Sequence, residues 1–398
     1  MIDRRRFLLA AGASAVAPAL LGASPEVETP VRPLQRALVF SGGGARGAYE
    51  AGIVGALVAQ QHVSDGQPLA PYEVVCGTSI GALNGWMVAA AQYTKLQELW
   101  FTVSRDNVLR PKPQYASLRD PESGVLNRVA SVVSLTGLVR NQRAVLQTDP
   151  AYDWISSHVD PSTPLVAPLI WAVTNLTHQR PEYFYVRPQA RKELPARVTH
   201  ALHALLGEQT IVREATPDIL HRALFASIAI PIAFDPVSMP GPDGTLNAYC
   251  DGGVASNSPV GIAHAVAQGA DIVLLDPPFE PEESYDDAVE IAFAAYGTMQ
   301  RKIFEMEMRN SYFQSLGKSA FARLSPAQRA TATQNNALLE AFIENVPATS
   351  LRYIRPKKTL PVAVVGFDDT DGIYNAYRIG WEDVANGFSS YDWRTFEL

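Results

Sequence analysis

The sequence predicts an α/β fold, a mostly parallel sheet covered by helices, on three observations. A short apolar run, Ala37-Leu38-Val39-Phe40, enters the glycine-rich turn Ser41 to Gly47 and then a helical stretch to about Gln60. A second run, Tyr72 to Cys76, enters the turn Gly77-Thr78-Ser79-Ile80-Gly81 and a small-residue helix, Ala82 to Gln92. Two strand-turn-helix units in succession imply parallel strands, because a parallel pair needs a crossover and a helix usually supplies it. The third observation is composition: 47% hydrophobic and 18% charged residues leave ample apolar material for a core and exclude a disordered or fibrous chain. In a sheet of this kind the functional groups gather at the carboxyl ends of the strands.

The remaining elements follow in order. Strands are expected at Leu169 to Thr174, Tyr183 to Val186, Ala248 to Asp251, Ile272 to Leu275 and Pro361 to Gly366, giving a sheet of at least five strands. Helices are expected at Pro217 to Ala226, Val260 to Gln268, Ala294 to Asn310 and Tyr374 to Asn386. Another is expected at Pro326 to Asn345, with Ser325 as N-cap and Pro326 in its first turn. No internal repeat is present, and a single domain with an insertion accounts for the 398 residues better than two domains.

The amino terminus reads as a targeting segment. Asp3 to Leu8, DRRRFL, resembles a twin-arginine export signal, the apolar run Leu8 to Leu21 is short for a membrane span, and Gly22, Ala23 and Ser24 offer a cleavage site. The expected organisation is a signal over residues 1–24, a linker over 25–35 and one catalytic domain over 36–398, exported to the periplasm or secreted. Within that domain Arg105 to Arg143 carries seven basic residues against three acidic ones, a basic insertion suited to transient contact with an anionic lipid surface. Asp276 to Glu290 carries seven acidic residues and no basic one. With 33 basic and 40 acidic residues the formal net charge is −7, which argues against a nucleic-acid partner. Cys76 and Cys250 cannot build a disulfide framework and stand in no zinc spacing, so both are expected as buried free thiols, and no metal is indicated.

Three motifs carry chemistry. Gly77-Thr78-Ser79-Ile80-Gly81 is GxSxG between a strand and a helix, where the flanking Gly77 and Gly81 permit a sharp turn that exposes Ser79 as a nucleophile. Gly42, Gly44 and Gly47 satisfy GxGxxG, with Asp65 eighteen residues on, which raises a dinucleotide site. In that fingerprint the acid ends the second strand, whereas Asp65 precedes it. The other physical use of bare backbone at Gly42, Gly43 and Gly44 is an oxyanion hole, with Arg46 steadying the loop or adding positive potential. Arginine at a helix amino end opposes the dipole and requires an explanation. The third motif, Asp251-Gly252-Gly253, puts a carboxylate at another strand end. His178, His200, His203, His221 and His264 sit in no recognised catalytic motif.

Taken together, SGGGARGAYEAGIVGAL, GTSIGALNG and DGGVASNSPV, with Ala226-Ser227-Ile228-Ala229-Ile230-Pro231 before the last, resemble the signature blocks of the patatin-like phospholipases. The resemblance runs from about Arg36 to Val260. It implies a three-layer α/β/α sandwich with a mostly parallel central sheet, a catalytic Ser79/Asp251 dyad, and an oxyanion region comprising Gly42, Gly43, Gly44, Arg46 and Gly47. It also implies hydrolysis of acyl esters of phospholipids or related lipids without a need for calcium; no cofactor is expected and no obligate protein partner is inferred. The aspartate block reads DGG where many members have DGA, and the region after Asp276 does not align. An α/β-hydrolase triad of Ser79, Asp251 and His264 is the opposing enzymatic reading. A binding protein with degenerate motifs would require a missing motif residue, and none is missing.

Overall fold

The computed structural model describes residues 34–113, 144–190, 203, 210–278, 288–334 and 336–396. Pro33–Leu398 forms one compact unit. The expected signal, and the basic insertion beyond residue 113, lie outside the described residues.

Strand β1 (Arg36–Phe40) leads through the glycine turn into helix α1 (Ala48–Gln61). Strand β2 (Tyr72–Thr78) leads through Ser79 into α2 (Ile80–Ala89), followed by α3 (Tyr93–Thr102), the short α4 (Arg105–Val108) and α5 (Thr148–His158). Then come β3 (Leu169–Asn175), β4 (Arg180–Val186), β5 (Ile211–Glu214), α6 (Leu220–Ile228), β6 (Val237–Pro240) and β7 (Leu246–Cys250). The chain continues through α7 (Val260–Val266), β8 (Gly269–Val273), α8 (Ala288–Ala322), α9 (Pro326–Thr333) and α10 (Ala337–Asn345). It closes with β9 (Ser350–Ile354), α11 (Thr370–Asp383) and β10 (Ser389–Ser390).

The strands lie in the order β10-β9-β8-β1-β2-β3-β4-β5, with β7 pairing the end of β3 and β6 pairing β7. From β9 to β3 every pairing is parallel, with β1 between β8 and β2. Antiparallel pairs occur only outside this frame among the described strands, at β3-β4, β3-β7, β6-β7 and β9-β10. Side chains alternate across the sheet as the strand period requires. Leu38, Phe40, Val75 and Trp171 enter the core that also takes residues of α1, α2, α3, α6 and α11. Ala37, Val39, Val74, Cys76 and Ile170 enter a second core with α7 and with Phe304 and Met308 of α8. Burial on both faces explains why these strands read as continuous apolar runs. Helices on both sides of a mixed, mostly parallel sheet make the fold the expected α/β/α arrangement.

Two expectations are corrected. Pro361 to Gly366 is not a strand; its Val364 carbonyl accepts the Ala45 amide at 2.9 Å, so its backbone serves the glycine turn instead of a ladder. The outer parallel strand is β9, which the charged Arg352 disguised in the sequence. The helix expected over Pro326 to Asn345 is two, α9 and α10. Ser325 begins the first with a capping box and Pro326 follows it, as the sequence predicts; Asn336 begins the second by accepting the Leu339 amide at 3.0 Å. The expected helix Ala294 to Asn310 extends over all of α8. Cys76 and Cys250 are free and buried, and burial raises both thiol pKa values, that of Cys250 to about 12.

Candidate active site

Ser79 stands between β2 and α2 with φ 54° and ψ −129°, a conformation that costs a non-glycine residue strain. The turn is so tight that a Cβ on Gly77 would collide with the Gly81 carbonyl, and one on Gly81 would lie 2.7 Å from the Ser41 carbonyl. Glycine at both positions is therefore a steric requirement of the elbow. Its strain is held by α6: the Ser79 amide donates to Ser227 Oγ at 2.9 Å, and that hydroxyl donates to the Ala172 carbonyl of β3 at 2.7 Å.

Asp251 follows β7, and the same segment fixes it. Its amide donates to the Ala229 carbonyl at 2.9 Å, and its carbonyl accepts from Thr174 Oγ1 at 2.9 Å. Strand ends that are far apart in sequence are thus brought to one point: Ser79 Oγ donates to Asp251 Oδ2 at 2.8 Å. The other carboxyl oxygen, Oδ1, accepts the Gly253 amide at 2.6 Å. Asp251 is 1% exposed. Burial raises its pKa to about 7, against the opposing pull of the bonds from Ser79 and Gly253. Near neutrality this carboxyl is poised between its two forms, as a general base should be.

The glycine turn is anchored from beneath. Glu50 of α1 is buried and accepts the Ser41 amide at 2.9 Å and Asn84 Nδ2 at 2.8 Å, while Trp100 Nε1 donates to Asn84 Oδ1 at 2.9 Å. Burial lifts the Glu50 pKa well above the carboxylate range, opposed by the bonds from Asn84 and Ser41. Among the described residues the Gly43 and Gly44 amides meet no acceptor. Gly44 lies at φ 57° against the Val364 carbonyl, which leaves no room for a side chain. The Gly42 amide is committed to the Asn257 carbonyl at 3.0 Å, so Gly42 holds the turn in place and has no free donor for an oxyanion. Gly47 lies under Trp100 and Ile80, where a Cβ would come within 2.8–2.9 Å of each, a packing role. The unfavourable position of Arg46 is explained by its partner: Nη1 meets Asp276 Oδ1 at 3.0 Å, tying the turn to the chain after β8.

Ser79 and Gly44 open into a cleft whose other walls are apolar, among them Ile80, Leu109, Trp154, Ile228, Phe234 and Phe367. Among the described residues no group of three or more His, Cys, Asp or Glu side chains could hold a metal ion.

The rival readings of the site do not survive this geometry. His264 is buried in α7, where Ser315 Oγ lies 3.4 Å from its Nε2 and burial lowers its pKa to about 4. Among the described residues no histidine ring is bonded to Ser79 or Asp251. Asp65 lies between α1 and β2 and caps the Thr94 amide at 3.1 Å, so no acid ends β2 as a dinucleotide site would need. Sequence reasoning missed the supporting roles of Glu50, Asn84, Asn257 and Ser227. A lone acid in the otherwise apolar α1 was a signal for Glu50; the others carried none beyond membership of the motif blocks.

Fold and site together define a class: an α/β protein that presents a serine on a strand-to-helix elbow and pairs it with a carboxylate where other such proteins use a ring nitrogen. The family model described as patatin-like phospholipase matches residues 38–264, and the chain belongs to that family. Membership supports lipid acyl hydrolase activity in general terms. Among solved structures, VipD from Legionella pneumophila matches at a TM-score of 0.37 and 13% identity, over 90% of this chain and 68% of that one. The complex of SpcU with ExoU, from the type III secretion system of Pseudomonas aeruginosa, contains a match at a TM-score of 0.22 and 15% identity, over 77% of this chain and 60% of that one. No curated protein matches the sequence.

Proposed function

We propose that the protein is a serine hydrolase that cleaves fatty acyl esters of phospholipids or related lipids through the Ser79/Asp251 dyad. The observation that carries this reading is the 2.8 Å bond from Ser79 Oγ, which lines an apolar cleft, to the buried Asp251 carboxyl. Ionised Asp251 takes the hydroxyl proton as Ser79 Oγ attacks the ester carbonyl. The Gly43 and Gly44 amides receive the oxyanion, and the amino end of α2 adds favourable potential. Collapse breaks the ester C–O bond, and the leaving alkoxide takes the proton from Asp251. Water then gives a proton to Asp251 and attacks the acyl-enzyme; the fatty acid leaves, and Ser79 Oγ regains its proton. The apolar cleft suits the acyl chain.

The experiment is fluorophosphonate labelling with mass mapping, beside fatty-acid release from a panel of phospholipids. Label on Ser79 and release lost in Ser79→Ala are expected; label elsewhere overturns the assignment. The segment DRRRFL and the apolar run after it support export of the folded protein through the twin-arginine route, with cleavage near Ala23. An intact amino terminus on cytosolic protein would count against export. The basic stretch Arg105 to Arg143 supports a transient contact with anionic lipid surfaces.

A further inference from the structure

Helix α8 lies beyond residue 264, where the family match ends, and its buried Phe304 and Met308 seat it in the second core of the sheet. Two polar side chains of this helix, Gln300 and Glu307, are seven residues apart, close to two turns, and so fall on one side of it. Both grip the segment that follows Asp251: Glu307 Oε1 accepts from Ser256 Oγ at 2.6 Å, and Gln300 Nε2 donates to Asn257 Oδ1 at 3.3 Å. That segment touches the other two turns of the candidate site. The Ser256 carbonyl accepts Thr78 Oγ1 of the elbow at 2.8 Å, and the Asn257 carbonyl accepts the Gly42 amide at 3.0 Å. Ser258 Oγ lies 2.5 Å from Ser41 Oγ; the Ser41 hydroxyl gives its proton to the Val273 carbonyl at 2.8 Å, so Ser258 is the donor of that pair.

The glycine turn and the aspartate turn close on Asn257 Oδ1. It stands 2.6 Å from where a Cβ of Gly42 would be and 2.9 Å from where one of Gly253 would be. Gly42 in turn lies against the nucleophile, since its Cβ would stand 3.1 Å from Ser79 Cβ. The second glycine of Asp251-Gly252-Gly253 also admits the amide of α8, because a Cβ on Gly253 would stand 2.5 Å from Gln300 Nε2. Gln300 lines a second cleft with Ser41, Gly42, Asn257 and Ser258, and it is not among the walls of the apolar cleft that Ser79 enters. Its route to the reacting atoms therefore runs through Asn257.

We propose that Gln300 is a positioning residue for the oxyanion turn: its amide fixes Asn257, and the Asn257 carbonyl fixes Gly42 and with it the Gly43 and Gly44 amides beside Ser79. The proposal rests on the reading of those two amides as the oxyanion donors. Such donors act by being held in place before charge develops, so loosening them weakens binding of the transition state and spares binding of the ground state.

Gln300→Met keeps the length of the side chain and removes the donor; Gln300→Glu keeps the shape and, when ionised, turns an acceptor toward Asn257 Oδ1. For a soluble short-chain ester, kcat is expected to fall about 3–10-fold in Gln300→Met, the equivalent of one neutral hydrogen bond, with KM within about twofold, and to fall further in Gln300→Glu. A trifluoromethyl ketone, whose adduct with Ser79 places an oxyanion at the same amides, should lose affinity by the factor that kcat loses, while inhibition by the product acid is unchanged. A merely structural role would lower the melting temperature or the fraction of Ser79 open to fluorophosphonate, and would leave kcat per labelled site and ketone affinity at the parent values; that result overturns the proposal. If Gln300→Met does not fold, the polar Gln300→Glu decides by the same two readouts. Failure of fluorophosphonate to label Ser79 in the parent protein would overturn the reading of the site and the proposal with it. Labelled Ser79 beside equal ketone affinity in parent and variants overturns the proposal alone.

Discussion

Asp251 is placed where its charge is costly and its proton useful. Its folded pKa of about 7 stands above the ordinary carboxylate value of about 3.9, chiefly through burial. Between about pH 4 and pH 7 the folded protein therefore holds a proton that the unfolded chain releases. The stabilising effect of the neutral carboxyl is complete below about pH 4 and is lost as pH rises through about 7. Asn at this position cannot ionise and can still accept the Gly253 amide. The melting temperature of Asp251→Asn, relative to the parent protein, should rise from pH 4 to pH 7 and level off above it, while ester turnover falls by orders of magnitude at every pH. Turnover of the parent protein should rise with pH through about 7, since only the ionised carboxylate can take the Ser79 proton. A melting difference that stays flat with pH would show that the carboxyl is not shifted.

At the scale of elements the candidate site depends on α6, which braces both of its strand ends. Ser227 holds the Ser79 amide, and Ala229, just past the helix, accepts the Asp251 amide. Ser227→Ala leaves the Ser79 amide buried without a partner in a strained turn and frees the Ala172 carbonyl, a loss of about 1–3 kcal/mol. Thermal unfolding should show this loss, and turnover should fall about tenfold or more because the elbow is no longer held. Equal turnover in a destabilised variant would separate the brace from the chemistry. The elbow, the glycine turn and the aspartate turn were legible in the sequence because each needs glycines at fixed offsets for steric reasons. The brace was not, because Ser227 is one serine in an apolar helix and acts through a backbone amide 148 residues away. For the same reason β9 was hidden: Arg352 breaks its apolar pattern and is accounted for only by a partner on β8.

At the scale of the whole molecule that partner, Asp271, ties the parallel frame together. Its Oδ1 meets Arg36 of β1 at 2.6 Å and Arg352 Nε of β9 at 2.8 Å. Its Oδ2 accepts from Tyr72 of β2 at 2.9 Å and Arg352 Nη2 at 2.5 Å. One carboxylate thus joins four adjacent parallel strands, β9, β8, β1 and β2, and it takes no part in the proposed chemistry. The Asp271 side chain is 0% exposed, whereas those of Arg36 and Arg352 are 20% and 38% exposed. Removing the acid therefore strands no fully buried cation, since both guanidinium groups can reach water. The cost should fall below the roughly 3–5 kcal/mol typical of breaking a buried pair, at about 1–3 kcal/mol. Asp271→Ala should lower the melting temperature and leave turnover, measured well below that temperature, within about twofold of the parent protein. This pattern is the opposite of that expected for Asp251→Asn, which should lose turnover without losing stability. If Asp271→Ala lost turnover while its melting temperature held, the frame and the dyad would be coupled, and strand-end chemistry would not be separable from sheet architecture.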